Sequence, residues 1–188
     1  MKQIKLHDKI FRMSISEQEI DKAIQAVADK INADHKGDDS IPLFLSVLNG
    51  AFMFASSLLK RITFPCEISF VKLASYHGER SCGKVTELIG ISDALVGRDI
   101  IVIEDIVDTG NTYESLMATL MRHKPRSVKI AAMLIKPEVY RKTLPVDYIA
   151  MQIPNDFIVG YGLDYNGLGR NLPNIYAMVQ WEVNSSEL

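Results

Sequence analysis

A short segment in the middle of the chain combines carboxylates and hydroxyls directly after an apolar run. Residues 100–103 are Ile-Ile-Val-Ile, and Glu104 and Asp105 follow them directly. After two more apolar residues the chain continues with Asp108-Thr109-Gly110-Asn111-Thr112. Adjacent carboxylates repel one another, so Glu104 and Asp105 need hydroxyl donors or a cation nearby. The vicinal hydroxyls of a sugar, with or without a bridging magnesium ion, would satisfy both side chains.

The residues Thr109-Gly110-Asn111-Thr112 open a predicted helix, which makes them a candidate phosphate site. Free backbone N–H groups and the helix dipole attract anions to a helix N-terminus. Gly110 allows the main chain to approach a ligand closely, and the threonine hydroxyls add donors. The segment could therefore hold a sugar by its diol at one end and by its phosphate at the other. Asp108 lies between the two ends, where it would meet the reacting side of the sugar.

Alternating strands and helices are predicted to position this segment. Ser16 and Glu19 form a capping-box pattern, and apolar residues then recur at helical spacing, which predicts a helix to about Ala33. Apolar runs and helical patterns predict the remaining elements in chain order: strand 43–48, helix 51–59, strands 68–73, 85–89 and 100–103, helix 112–123 and strand 128–135.

This alternation predicts an α/β fold with a mainly parallel, twisted central sheet flanked by helices. No repeat or linker divides the 188 residues, so we expect a single domain spanning 1–188. Ligands of such sheets bind at the carboxyl ends of the strands, which directs attention to the turns after Leu48, Ile103 and Ile135. The polar stretch that begins at Ser75 is predicted to be a long mobile loop.

The composition excludes several classes of function. A net charge of -2 and a pI near 6.1 argue against a general nucleic-acid or membrane-surface binder. The N-terminal residues contain no apolar run typical of a signal peptide, and no segment reaches membrane-spanning length. Cys66 and Cys82 form no C-x-x-C pattern, and the four histidines lack metal-ligand spacing. We therefore expect reduced thiols, a cytoplasmic protein and no zinc site.

The segment from Ile100 to Thr112 resembles the phosphoribosyl pyrophosphate motif of the type I phosphoribosyltransferases. That motif consists of about four apolar residues, two acidic residues and a D-[TS]-G-x-T turn. The resemblance implies the fold of that family, with a small hood built from the chain termini and a mobile lid. It also implies that Glu104 and Asp105 bind the ribose hydroxyls, that the 109–112 loop binds the 5-phosphate, and that Asp108 acts as general base or acid on the purine.

Three further matches point to the hypoxanthine-guanine branch of that family. Leu48-Asn49-Gly50 resembles a loop whose backbone amides hold pyrophosphate, although relatives often have lysine where this chain has Asn49. Ser75-Tyr76 resembles the pair that begins the lid, which would exclude water from the reacting centre. Lys136 follows a strand, where the resemblance implies that it donates a hydrogen bond to the exocyclic oxygen of a 6-oxopurine.

The fourth match is the segment 157–166, which resembles the pattern F-V-V-G-Y-x-L-D-Y-x and is followed by Arg170. The resemblance implies that Phe157 stacks on the purine and that the main chain near Ile158 and Leu163 reads the purine edge. It further implies that Asp164 holds a second magnesium ion through water and that Arg170 contacts pyrophosphate. Without the resemblance, Phe157 would be interpreted as a core aromatic and Arg170 as a surface cation.

The resemblance implies a purine salvage enzyme that transfers the 5-phosphoribosyl group from phosphoribosyl pyrophosphate to hypoxanthine, and to guanine, giving IMP or GMP and pyrophosphate. Mg²⁺ is the implied cofactor, with Glu104, Asp105 and Asp164 as metal-binding residues, and a homodimer or homotetramer is implied, with the helix 51–59 as a candidate interface. Three alternatives stay open: a non-catalytic regulator on the same fold, transfer to another base, and an unrelated magnesium-dependent α/β enzyme. The residues do not rank hypoxanthine, guanine and xanthine.

Overall fold

The computed structural model of the chain describes residues 2–75, 85–89 and 95–179. The elements in chain order are β1 (Gln3–Leu6), β2 (Lys9–Ile15), α1 (Glu17–Asp34), β3 (Leu43–Leu48), α2 (Phe52–Leu59), β4 (Glu67–Ser75), β5 (Val85–Ile89), β6 (Asp99–Val107), α3 (Asn111–Arg122), β7 (Ser127–Ile135), β8 (Tyr148–Gln152), β9 (Ile158–Val159) and β10 (Ile175–Met178). The predicted strands and helices between 16 and 135 are all present, with bounds shifted by a few residues. No helix in the described part of the chain is long and apolar enough to cross a bilayer.

A six-stranded sheet in the order β5-β4-β3-β6-β7-β8 forms the centre of the molecule. Every neighbouring pair is parallel except β4 and β5, which are antiparallel. Apolar residues of the parallel strands alternate between two cores: Ile101 and Ile103 pack beneath α1 and α2, whereas Ile100 and Val102 pack beneath α3. The predicted α/β fold, with a mainly parallel sheet between helices, is therefore confirmed.

The capping box at the start of α1 is present as predicted. The backbone N–H of Ser16 donates to Oε2 of Glu19 at 2.8 Å, and the N–H of Glu19 donates to Oγ of Ser16 at 3.3 Å. The two residues thus satisfy each other's free amides, which defines where the helix begins. Its buried face is formed by Ile20, Ile24, Val27, Ala28 and Ile31.

Strand β6 is longer than the sequence indicated. The predicted end at Ile103, with the acidic pair already in a turn, is wrong, because Glu104 lies opposite Ala132 and Val107 lies opposite Ile135 in the ladder with β7. Backbone pairing continues past the apolar residues since it does not depend on side-chain polarity. The pairing extends to the N–H of Lys136, which donates to the carbonyl of Val107 at 3.0 Å. The acidic pair therefore lies inside the strand, in the part of β6 that is paired with β7.

A second, antiparallel sheet in the order β1-β2-β10-β9 forms the hood, which we define as these four strands and the turns of residues 160–170. It joins strands from the two ends of the described chain, so the predicted hood is confirmed. Phe11, Val159 and Tyr176 form its small core. The sequence patterns did not predict its individual strands, nor β8. β1, β8 and β9 are short and only partly buried, and the longer β2 pairs with β10 from the other end of the described chain.

Candidate active site

A cavity of about 490 Å³ opens at the carboxyl ends of β3, β6 and β7, beneath the hood. Its walls include every predicted site residue apart from the lid pair: Leu48, Asn49, Gly50, Glu104, Asp105, Asp108, Thr109, Gly110, Asn111, Thr112, Lys136, Phe157, Ile158, Leu163, Asp164 and Arg170. Of the predicted lid pair, Ser75 is the last residue of β4, and Tyr76 lies outside the described residues. Segments far apart in the chain thus meet around one space.

The phosphate-loop candidate, residues 109–112, leads directly into α3. Gly110 is the N-cap of α3 with φ +84°, and no side chain of the described residues caps this helix. The first amides of α3 therefore remain free for an anion. A Cβ at Gly110 would lie 2.6 Å from the ring of Tyr140 and 2.7 Å from Cγ of Lys142, so the loop requires glycine for its conformation and for its packing.

The acidic pair is held in a buried environment. Glu104 is 5% exposed, and the described residues donate no side-chain hydrogen bond to it. Burial and the neighbouring charge of Asp105 raise the pKa of Glu104 well above its ordinary value, and burial likewise raises the pKa of Asp105. Hydroxyl donors or a cation in the cavity would stabilise both carboxylates in their charged forms.

The oxygen-rich carboxylates of this cavity are the donors that Mg²⁺ prefers. Among residues 2–75, 85–89 and 95–179, however, no group of three or more His, Cys, Asp or Glu side chains could hold a metal ion. Magnesium in proteins is commonly held by one or two carboxylates together with the phosphates of a substrate. The donor set therefore fits a magnesium ion that binds together with a phosphorylated ligand.

The hood contacts the sheet edge through a stack of glycines. A Cβ at Gly50 would overlap the carboxylate of Asp105, and a Cβ at Gly162 would overlap the carbonyl oxygen of Gly50. The Leu48–Asn49 peptide bond just before Gly50 is cis. Because Gly50 lies against the Asp105 carboxylate on one side and the main chain of Gly162 on the other, the acidic pair, the 48–50 loop and the hood share one closely packed joint.

Arg170 and Asp164 form an ion pair next to this joint. Nη2 of Arg170 lies 2.5 Å from Oδ1 of Asp164, and Nη1 donates to the carbonyl of Gly162 at 2.7 Å. The N–H of Gly167 donates to the second oxygen of Asp164 at 2.7 Å. The guanidinium is about one-third exposed, so the interpretation of Arg170 as an isolated surface cation is wrong. Its position offers a positive charge to an anion in the cavity.

Lys136 presents a buried ammonium group to the cavity. The residue is 8% exposed, and its Nζ lies 3.4 Å from Oδ2 of Asp108 and 3.3 Å from Oδ1 of Asn155. A buried cation needs such acceptors, because desolvation without partners is costly. A lysine at the end of a strand is usually exposed to solvent, but Lys136 is buried.

Phe157, directly before β9, lines the cavity and is 44% exposed. The ring of Tyr165 meets it edge-on, with centroids 5.7 Å apart and an interplanar angle of 86°, and Phe11 packs at 6.2 Å. The hydroxyl of Tyr165 donates to Oδ1 of Asp8 at 2.7 Å. Phe157 is thus a supported aromatic with a free face, whereas Tyr161 is buried and bonded to Ser57, as a core residue would be.

Sequence reasoning missed several residues of this site. Tyr113 and Asp156 line the cavity, and Asn155 contacts Lys136. The hydroxyl of Tyr113 donates to the carbonyl of Pro145, and burial raises the pKa of Tyr113 to about 12. Tyr113 therefore stays protonated and serves to hold the wall of the cavity in place. The only available signal for Asn155 and Asp156 was their place directly before Phe157.

Comparison with known proteins gives a consistent result. A family model described as "Phosphoribosyl transferase domain" matches residues 14–166. The chain is 39% identical over 171 residues to a hypoxanthine-guanine phosphoribosyltransferase of Streptococcus agalactiae, which covers 90% of this chain and 94% of the relative. It is 36% identical to a crystal structure of a hypoxanthine-guanine phosphoribosyltransferase from Bacillus anthracis, with a TM-score of 0.82 over 89% of this chain and 98% of that one.

A second kind of relative is much longer than this chain. The "Bifunctional protein TilS/HprT" of Listeria innocua is 37% identical over 171 residues, which are 90% of this chain and 26% of that protein. The chain therefore spans about a quarter of the bifunctional relatives and nearly the full length of the streptococcal one.

Proposed function

Because the chain belongs to the phosphoribosyltransferase family, in its hypoxanthine-guanine branch, we propose that it transfers the 5-phosphoribosyl group from phosphoribosyl pyrophosphate to hypoxanthine and guanine. The products are IMP or GMP and pyrophosphate. One observation carries this proposal: a single cavity is lined by two sets of groups, the acidic pair with the 109–112 loop and Lys136 with Phe157. These groups match a phosphorylated sugar and a flat oxopurine, respectively.

The phosphoribosyl group would be held along the end of β6. Glu104 and Asp105 accept hydrogen bonds from the ribose hydroxyls, and the free amides at the start of α3 donate to the 5-phosphate. The amides of the 48–50 loop and the guanidinium of Arg170 bind pyrophosphate. All of these groups line the cavity, so both ends of the donor substrate would be fixed before reaction.

The purine would lie between Phe157 and the end of β7. Lys136 donates to the exocyclic 6-oxygen, Phe157 stacks on the ring, and the main chain near Ile158 and Leu163 meets the purine edge. A 6-amino group presents hydrogens where Lys136 requires an acceptor, and it would leave the buried ammonium unsatisfied. The site therefore selects 6-oxopurines over adenine.

Asp108 is the proposed catalytic group. It lies between the phosphate loop and Lys136, so it reaches the base side of the sugar. As a purine nitrogen attacks the anomeric carbon and pyrophosphate leaves, Asp108 accepts or returns the proton on ring nitrogen N7. The carboxylates at the end of β6 stabilise the positive charge that develops on the sugar.

Glu104, Asp105 and Asp164 are the residues proposed to hold magnesium, Asp164 through water. When bound, Mg²⁺ supplies charge neutralisation to the pyrophosphate leaving group. Burial chiefly raises the pKa of Asp105, so a cation beside this carboxyl would stabilise its charged form, and Asp164 lines the same cavity.

Membership of the family also leads us to propose a localisation, a domain organisation and an oligomeric state. We place the reaction in the cytoplasm, carried out by one domain spanning residues 1–188 in a homodimer or homotetramer, without nucleic-acid or membrane partners. The uncovered side of α2, where Phe52 is 42% exposed, supports that helix as part of a subunit interface.

Initial rates test the proposed function most directly. The purified protein is mixed with phosphoribosyl pyrophosphate, Mg²⁺ and hypoxanthine, guanine, xanthine or adenine in turn, and monophosphate formation is followed. We expect turnover with hypoxanthine and guanine and little with adenine. Absence of turnover with every 6-oxopurine, while phosphoribosyl pyrophosphate still binds, would favour the non-catalytic regulator. Preferred use of adenine would favour transfer to another base.

The base site is tested separately by Lys136→Ala. This change should lower kcat/KM for hypoxanthine by roughly a hundredfold, because it removes the donor to the 6-oxygen, and should change the KM for phosphoribosyl pyrophosphate far less. Lys129→Ala is a matched control, since it removes a lysine of β7 that is paired with Asp34 outside the cavity. Equal losses for both substrates in Lys136→Ala would contradict the assigned role.

A further inference from the structure

We propose that Asn155 is the positioning residue for Lys136, and that its side-chain oxygen keeps the lysine ammonium aimed at the purine while Asp108 exchanges a proton. This inference rests on the proposed function and extends it to a residue that neither the sequence patterns nor the family resemblance assigned.

The contacts of Lys136 motivate the assignment. Its Nζ reaches Oδ1 of Asn155 at 3.3 Å and Oδ2 of Asp108 at 3.4 Å, and the lysine is 8% exposed. An ammonium group has three hydrogens to donate and accepts none. Two protein acceptors therefore leave one hydrogen for a ligand, and the directions of the two acceptors determine where that hydrogen points.

The backbone holds Asn155 in this place. The N–H of Ile153 donates to the carbonyl of Ile135 at 2.9 Å, which continues the pairing of β8 with β7 up to the residue before Lys136. The N–H of Asp156 donates to the carbonyl of Pro154 at 2.8 Å, which forms a tight turn around Asn155. Asn155 is thus set beside the end of β7 by main-chain contacts, although its own side chain is exposed to solvent.

The two acceptors differ in a way that matters during turnover. Asp108 is the group proposed to take the purine proton, and a carboxyl that has gained a proton loses the charge that strengthens its hydrogen bond to an ammonium. The amide oxygen of Asn155 does not titrate, so its hydrogen bond to Lys136 is the same before and after proton transfer. Without Asn155, Lys136 would be anchored only by the group whose charge changes.

Steady-state kinetics of Asn155→Ala test this role. We expect the KM for hypoxanthine to rise roughly tenfold, because a hydrogen bond to a charged group is lost, with less than about a twofold change in the KM for phosphoribosyl pyrophosphate. Asn155→Asp keeps an acceptor oxygen in the same place and should restore the KM for hypoxanthine to within about threefold of the wild type. Gln152→Ala removes an exposed amide from the end of β8, outside the cavity wall, and should behave as the wild type.

A double-mutant cycle separates this positioning role from a general structural one. In a Lys136→Ala background, Asn155→Ala should cause no further loss, because the group that it positions is already gone. Losses that multiply in the double variant, an equal rise of both KM values, or an Asn155→Ala protein with wild-type kinetics would each overturn the inference. A wild-type protein that makes no IMP would instead overturn the proposed function, so the two failures are distinct.

Discussion

The sheet edge and the hood contribute to the same cavity, yet the chain builds them in different ways. At the sheet edge, one continuous segment from Glu104 to Thr112 runs from the end of β6, where the strand pairs with β7, into the first turn of α3. In the hood, β9 has only two residues, and its neighbours are tight turns with positive φ at Gly160, Gly162 and Gly167. The hydrogen bond from Tyr165 to Asp8 joins residues 157 positions apart.

This difference corresponds to the two tasks of the proposed reaction. The groups proposed to bind the sugar phosphate come from one local segment, so their spacing is set by the backbone of β6 and α3. The groups proposed to recognise the base come from β7, the 153–158 segment and the hood, and their spacing depends on long-range packing. Substitutions at the sheet edge should therefore change the chemical step, whereas substitutions in the hood, apart from Asp164 and Arg170, should change base affinity or stability.

The largest effect is expected from Asp108→Asn at the sheet edge. The amide cannot accept the purine proton, so kcat should fall by about two to four powers of ten, while the KM for phosphoribosyl pyrophosphate changes little. Steady-state kinetics with hypoxanthine measure both constants. An unchanged kcat would remove Asp108 from the chemical step.

The joint between the two regions should be the next most sensitive point. Gly162→Ala places a methyl group against the carbonyl of Gly50 at φ +99°, and it should lower the free energy of unfolding by about 3 kcal/mol. Gly167→Ala is the matched control, because it has φ +86° but no atom within 4 Å of the added carbon, and it should cost only about 1 kcal/mol. Denaturant titrations of both variants give the comparison, and equal values would show that the joint is not tightly packed.

Replacing the buried carboxylate of Glu104 at the sheet edge is expected to increase stability. Burial and the charge of Asp105 raise the pKa of Glu104, so the Glu104 carboxyl holds its proton more tightly in the folded protein than in the unfolded chain. The stability that depends on the proton is fully present below the unfolded pKa and is lost as the pH rises through the folded pKa. Glu104→Gln should therefore raise Tm near about pH 7, with a gain that shrinks toward about pH 4, while activity falls.

Thermal denaturation across this pH range is the measurement for Glu104→Gln. Glu138→Gln, which changes an exposed glutamate, is the control and should leave Tm nearly constant. A variant that is less stable than the wild type at neutral pH would show that Glu104 stabilises the sheet edge rather than strains it.

The smallest effect is expected in the hood from Tyr165→Phe. The hydrogen bond from the Tyr165 hydroxyl lowers the pKa of Asp8, so its stabilisation is present above the unfolded pKa and is lost as the pH falls through the folded pKa. The variant should show a slightly lower Tm at neutral pH and no difference below about pH 3. Because the ring is kept against Phe157, the KM for hypoxanthine should not change, and a large rise would mean that the hydroxyl also orients Phe157.

How far the sequence predicted the structure follows the same division. The strands from β3 to β7, the three helices and the acidic segment were predicted, because apolar runs, a capping box and a glycine turn are local signals. The strands of the hood were not, since β2 pairs with β10 from the opposite end of the described chain. The end of β6 was also placed too early, because acidic residues are not typical of a buried strand, whereas the backbone pairing with β7 continues through them.

The site shows the same limit at the level of single residues. The polar residues inside the motifs were named from the sequence. Asn155 was not, because its contact with Lys136 spans 19 positions and depends on how β8 pairs with β7. The packing of Gly162 on Gly50 likewise exists only once the hood has folded onto the sheet.

The pairing of β6 along both of its edges limits how the chain can change in length. One residue inserted between Ile100 and Ile101 would exchange the faces of the rest of the strand, because side chains alternate with a period of two. Ile101 and Ile103 would then move from the core beneath α1 and α2 to the core beneath α3. Related proteins should therefore keep apolar residues at positions 100–103, which are buried in the two cores, and should carry their insertions and deletions outside β6.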